Sequence, residues 1–85
     1  MASYSLRIKR SAEKDIRSLP TDARKRVITR IQALAEDPRP PGATKLTGRD
    51  AWRLRVGTYR IVYVIEDQEL VIEVVRVAHR RDVYR

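Results

Sequence analysis

The chain has 85 residues, no cysteine and a single histidine, so one domain spanning residues 1–85 is the largest architecture it supports. Disulfide frameworks, thiolate metal sites and histidine-rich zinc sites are excluded, and no apolar run approaches the ~20 residues that a bilayer-crossing helix needs. The net charge is +8, and fifteen of the nineteen basic residues are arginine, whose planar fork bonds phosphate in pairs and stacks on bases. A G+C-rich codon bias also enriches arginine, but the charge and the bias together point to a polyanionic partner, RNA before others. Charges arrive in the N-terminal stretch before any signal-peptide core, which predicts a cytoplasmic protein with no membrane association and nothing removed.

Tyr4, Leu6 and Ile8 alternate with Ser5, Arg7 and Lys9, predicting a strand with one buried face. Ser11 is suited to cap a short helix in which Ala12, Ile16 and Leu19 share a face and Glu13 pairs with Arg17 one turn on. Pro20 ends it. Thr21 then caps a longer helix whose apolar stripe is Ala23, Val27, Ile31 and Leu34, with Ile28 and Ala35 at its border. Arg24, Lys25, Arg26 and Arg30 read as its solvated outer face, and the two helices form an αα-hairpin. Asp37, Pro38, Pro40, Pro41 and Gly42 forbid helix and predict an irregular connector.

The second half is all strand. Trp52, Leu54 and Val56 alternate with Arg53 and Arg55, Gly57 and Thr58 make a tight turn, and the β-branched and aromatic run Tyr59 to Ile65 predicts a central strand. Glu66, Asp67 and Gln68 turn the chain into a last strand over Leu70 to Val77, and a short polar tail follows. The predicted fold is α+β, ordered β-α-α-β-β-β: an antiparallel sheet with the helical hairpin on one face.

Strand parity turns this fold into a candidate site. With Trp52, Leu54 and Val56 toward the helices, Arg53 and Arg55 face the other way, and Arg60 joins them across the turn while Tyr59 and Tyr63 pack inward. A tail that folds back would bring Arg76, His79, Arg80, Arg81 and Tyr84 to the same concavity. The sequence holds no Ser-His-Asp order, no HExxH, no glycine-rich phosphate loop and no paired carboxylates on one strand. Cations and a phenol do suffice for attack of an RNA 2′-hydroxyl on its own adjacent phosphate, because the substrate supplies the nucleophile. The same cations without catalysis would bind a phosphate backbone.

The segments DPRPPG, KLTG, WRLRVGTYRIVYVI, ELVIEVVRV and AHRRDVYR, together with the N-terminal YSLRIKRSAEKDIRSLP, resemble the RelE/ParE superfamily of toxins from toxin-antitoxin modules, over nearly the whole chain. The resemblance implies a microbial-ribonuclease-like fold, no cofactor and no metal. It implies either of two activities: RelE-like cleavage of mRNA in the ribosomal A site, with ribosome and mRNA as partners, or ParE-like inhibition of DNA gyrase. A degenerate, inactive member is the third alternative. Read on the RelE side, it gives Arg60 the pentavalent phosphate, Arg80 the leaving 5′-oxygen and Tyr84 a nucleotide to stack on or orient. Lys45, Arg53, Arg55, His79 and Arg81 become substrate-binding candidates. One departure stands out: Ala51 occupies the position where RelE enzymes carry a lysine often cast as the general base, which leaves His79, Tyr84 or pure orientation and charge for that task. The resemblance further implies a cognate antitoxin that wraps the domain with an acidic segment.

Overall fold

Period-two alternation becomes strand and three-four spacing becomes helix, in the order β1 (Ser5–Ile8), α1 (Arg10–Arg17), α2 (Thr21–Leu34), β2 (Ala43–Lys45), β3 (Trp52–Val56), β4 (Tyr59–Glu66) and β5 (Val71–His79). The computed structural model describes residues 3–48 and 50–79. Among the described residues no helix is long and apolar enough to cross a membrane. The strands form one sheet ordered β1-β5-β4-β3-β2, with both helices against the same face.

The core lies between those layers. Ala12 and Leu19 from the first helical segment and Ala23, Val27, Ile31 and Leu34 from α2 meet Leu54 and Val56, Ile61, Tyr63 and Ile65, and Ile72, Val74 and Val77. Each fully buried Leu or Ile among these contributes roughly 1.5–3 kcal/mol. Tyr63 is enclosed as well, and its hydroxyl donates to the Pro38 carbonyl oxygen at 2.8 Å. Burial pushes the Tyr63 phenol up to about 12.

Three features depart from the sequence expectation. The sheet is mixed, because β1 pairs with β5 in parallel register, Leu6 beside Ile72 and Ile8 beside Val74. A fifth strand appears where an irregular connector was predicted: Ala43 to Lys45 pair antiparallel with Leu54 to Trp52. Three residues after a Pro-Pro-Gly sequence carry too little pattern to announce a strand. Ser11 and Thr21, expected as caps, are instead helical, with Lys9 and Pro20 at the cap positions. Ser11 is drawn away from capping because its hydroxyl donates to the Val75 carbonyl oxygen at 2.8 Å.

That bond belongs to a device that closes β5. Past the end of β1, the edge of β5 would expose backbone groups. Side chains of α1 cover it: Ser11 bonds the Val75 carbonyl, and the Asp15 carboxylate accepts from the Val77 N–H and from Arg76 Nε, each at 2.9 Å. At the same place Val62 pairs with Arg76 but Tyr63 pairs with Val74, so Val75 is an extra residue, a β-bulge. The bulge explains why Val74 and Val77, rather than alternate residues, both face the core.

At the opposite end of the sheet, Asp67 gathers the connector and the N-terminus. It accepts from Tyr4 Oη at 2.7 Å and forms an ion pair with Arg39 at 2.9 Å, and the same guanidinium lies 5.3 Å from the Trp52 ring centre. The Arg39 guanidinium first and the Tyr4 hydroxyl second hold the Asp67 carboxyl below the usual carboxylate range. Between α1 and α2, Arg24 fastens the loop by donating to the carbonyl oxygens of Arg17 and Leu19.

Candidate nucleic-acid interface

On the sheet face turned away from the helices, strand register assembles the arginines. Arg55 lies directly opposite Arg60 across β3 and β4, and Arg53, two residues along on the same face, lies opposite Val62. Arg55 thus stands directly beside a second cation, a placement that costs stability unless an anion offsets it. Arg53 and Arg55 form no ion pair within the described residues, whereas Arg17, Arg39 and Arg76 are paired with Glu13, Asp67 and Asp15.

Arg60 corrects one expectation. Parity puts it on the predicted face, but it is 2 % exposed and ranks among the largest fully buried side chains. A small cavity of about 40 Å³ lies beside it, lined by Arg55, Gly57, Thr58, Tyr59 and Arg60. Gly57 takes a φ of +61° in the two-residue turn, a conformation that side-chain-bearing residues rarely adopt.

Not every predicted site residue joins this face. Lys45 pairs with Trp52, which puts it on the helix side of the sheet by parity; it is exposed there, at the edge. His79 belongs to β5 rather than to a tail, and it pairs with Tyr59. The two rings meet edge to face, 5.4 Å apart at 89°, so the imidazole packs on the helix side, away from Arg53 and Arg55. Arg76, read as a neighbour of the cluster, is held by Asp15. Arg80, Arg81 and Tyr84 lie outside the described residues. Ala51, at the departure from the RelE pattern, is buried and precedes β3.

By sequence Arg26 belongs to a solvated helix face. Its Nη1 in fact lies 3.7 Å from where a Cβ on Gly57 would stand, at the tip of the β3–β4 hairpin. No local signal marks that approach, because it depends on how α2 crosses the sheet. Among the described residues no cluster of His, Asp and Glu is arranged to hold a metal ion.

A second surface is apolar. Leu6 and Ile8 of β1, Ile16 of α1, and Ile28 and Ile31 of α2 line a groove of about 350 Å³, with Glu13, Arg17 and Gln32 at its rim. Leu6 and Ile28, 37 % and 38 % exposed, stand together along this groove.

Comparison with known proteins assigns the chain to a family. Residues 6–84 match the model of the ParE toxin of type II toxin-antitoxin systems. Toxin RelG of Mycobacterium tuberculosis is 31% identical over 86 residues, covering 96% of this chain and 97% of that protein. Among solved structures, the RelBE2 toxin-antitoxin complex from Mycobacterium tuberculosis superposes with a TM-score of 0.83 at 27% identity, over 93% of this chain and 100% of the matched chain. The isolated E. coli RelE toxin gives 0.80 at 29% identity, over 96% and 92%. With the family match running over nearly all its length and RelE folds superposing on both helices and the sheet, the chain belongs to the ParE toxin family of the RelE/ParE superfamily and is the toxin of a toxin-antitoxin system.

Proposed function

We propose that this toxin acts on the RelE side of its superfamily, cleaving mRNA in the ribosomal A site in the cytoplasm and so blocking translation. The observation that carries this reading is the arginine face: Arg53 and Arg55 stand without carboxylate partners among the described residues, with Arg60 directly across from Arg55. The similarity to Toxin RelG and to RelE structures supports it.

In the proposed reaction the RNA 2′-oxygen attacks the adjacent phosphorus, the bond to the 5′-oxygen breaks, and a cyclic phosphate and a free 5′-hydroxyl result. Arg60 and Arg55 stabilise the added charge on the phosphoryl oxygens, the role that preorganised cations fill best in a site shielded from water. Arg80 assists the departing 5′-oxygen and Tyr84 stacks on or orients a nucleotide. Arg53 and Arg81 hold the flanking backbone. His79, packed edge-on against Tyr59, is poorly placed as a base. With Ala51 in place of a lysine, in-line orientation and charge stabilisation therefore carry most of the rate. The cavity beside Arg60 is small, about 40 Å³, so the exposed Arg55 on its rim meets the phosphate first.

A cognate antitoxin is the partner that the RelBE complexes suggest. The groove of Leu6, Ile8, Ile16, Ile28 and Ile31 takes its apolar side chains, and the exposed Arg7, Lys9, Arg10 and Arg17 around β1 and α1 favour an acidic segment. Ile28→Asp should abolish neutralisation by the antitoxin while leaving toxicity in place; full neutralisation of that variant would rule the groove out.

The family description as a ParE toxin favours the alternative of gyrase inhibition, so the deciding experiment runs both assays on one preparation. Purified toxin is added to a translating extract, with mapping of mRNA 5′ ends, and to gyrase, with measurement of supercoiling. Ribosome-dependent cuts that fall on the order of 10²-fold or more in Arg60→Ala and in Arg55→Ala support the RelE reading. Arg55→Ala is needed beside Arg60→Ala because only the exposed Arg55 can be removed without opening a buried space. Blocked supercoiling without cuts would move the protein to the gyrase side, and silence in both assays to an inactive member.

A further inference from the structure

The cations of α2 divide by what they already do. Arg24 is consumed by the carbonyl oxygens of Arg17 and Leu19. Arg26 and Arg30, one turn apart, are both exposed and form no ion pair among the described residues. Asp22, one turn before Arg26, has the spacing for an i,i+4 pair, and that pair is not made. The Arg26 guanidinium leans instead toward the tip of the β3–β4 hairpin, 3.7 Å from the Cβ position of Gly57.

Gly57 is the wall shared by two cationic places. On one side its backbone lines the cavity with Arg55 and Arg60; on the other it meets Arg26. The turn residues Val56, Gly57, Thr58 and Tyr59 include no acid that would neutralise either side. Arg26 of α2 and Arg55 of β3, both exposed and without an ion pair among the described residues, therefore approach the same hairpin tip, where a bound polyanion would meet both.

We infer that Arg26, with Arg30 behind it, forms a second phosphate-binding subsite for single-stranded RNA, so that the strand runs from Arg55 and Arg60 over the Gly57 tip and onto α2. This rests on the RNA reading of the arginine face and extends it to a residue on another element. The subsite binds backbone phosphate, a contact that positions the strand and carries no base preference of its own.

The test is the salt dependence of binding, which counts phosphate contacts. A dye-labelled single-stranded RNA with 2′-O-methyl sugars, unable to attack its own phosphate, is titrated with full-length toxin at several salt concentrations. Each lost phosphate contact should lower the magnitude of the slope of log K against log salt by about 0.7. Arg26→Ala is expected to show that drop with an unchanged thermal midpoint, and Arg26→Lys to restore the slope. Lys14→Ala, on the exposed side of α1, should leave it as in the parent. If Arg55→Ala lowers the slope and Arg26→Ala does not, the subsite is overturned while the RNA reading stands. An equal drop in Lys14→Ala would overturn it too, as a mere effect of net charge. Absence of RNA binding by the parent toxin would remove the RNA reading and the subsite together.

Discussion

On the helix-covered face of the sheet, Leu54, Ile61, Tyr63, Ile72 and Val74 are enclosed, and the buried phenol of Tyr63 has a carbonyl to donate to. On the other face, Arg53 and Arg55 have no ion partner among the described residues, and Arg55 sits against Arg60. The same two strands, β3 and β4, build both faces, so composition along the strand cannot account for the contrast. Parity does: residues that alternate in sequence are divided between a layer enclosed under the helices and a layer that carries Arg53 and Arg55 on the opposite face.

The largest expected effect tests that division within one strand. Leu54→Ala should lower unfolding free energy by about 2–5 kcal/mol in urea titration, since it removes a fully buried side chain and leaves a cavity. Its neighbour Arg55→Ala should stay within about 0.5 kcal/mol of the parent while losing RNA cleavage. A comparable loss of stability in Arg55→Ala would mean that the arginine face is structural, and the comparison would fail. A smaller effect sharpens it at the other end of the sheet, where Asp67 binds Arg39 and Tyr4. Because the Asp67 carboxyl is held below its usual range, its contribution is present above the unfolded-state value of about 3.9 and is lost as pH falls through the folded-state value. Asp67→Asn should therefore flatten the acid limb of the stability profile and leave RNA cleavage near neutral pH unchanged. An unaltered acid limb would show that this exposed network adds nothing to stability. Screening of such an exposed pair keeps the expected effect small.

Much of the site was legible because it follows from alternation. Parity alone puts Arg53, Arg55 and Arg60 on one face, and the register agrees. The burial of Arg60 was not legible, since parity gives the direction of a side chain and not what covers it. Lys45 and His79 stand with the arginines among the expected substrate-binding residues. Pairing with Trp52 and Tyr59 puts both on the helix side. For His79 the local cause is the bulge at Val75, which shifts the parity of the last residues of β5 relative to the first ones. Arg80, Arg81 and Tyr84 fall outside the described residues, so their roles rest on the resemblance and on the proposed reaction.

By itself, the sequence determined the two helices, the four principal strands, the core stripe of α2 and the division of β3 into an apolar and a basic face, because each depends on spacing within one segment. The tertiary structure alone decided the parallel pairing of β1 with β5, the short edge strand β2, the closing of the β5 edge by Ser11 and Asp15, and the approach of Arg26 to Gly57. Each of these joins segments far apart in the chain, and no periodicity within either segment encodes which partner the other will meet.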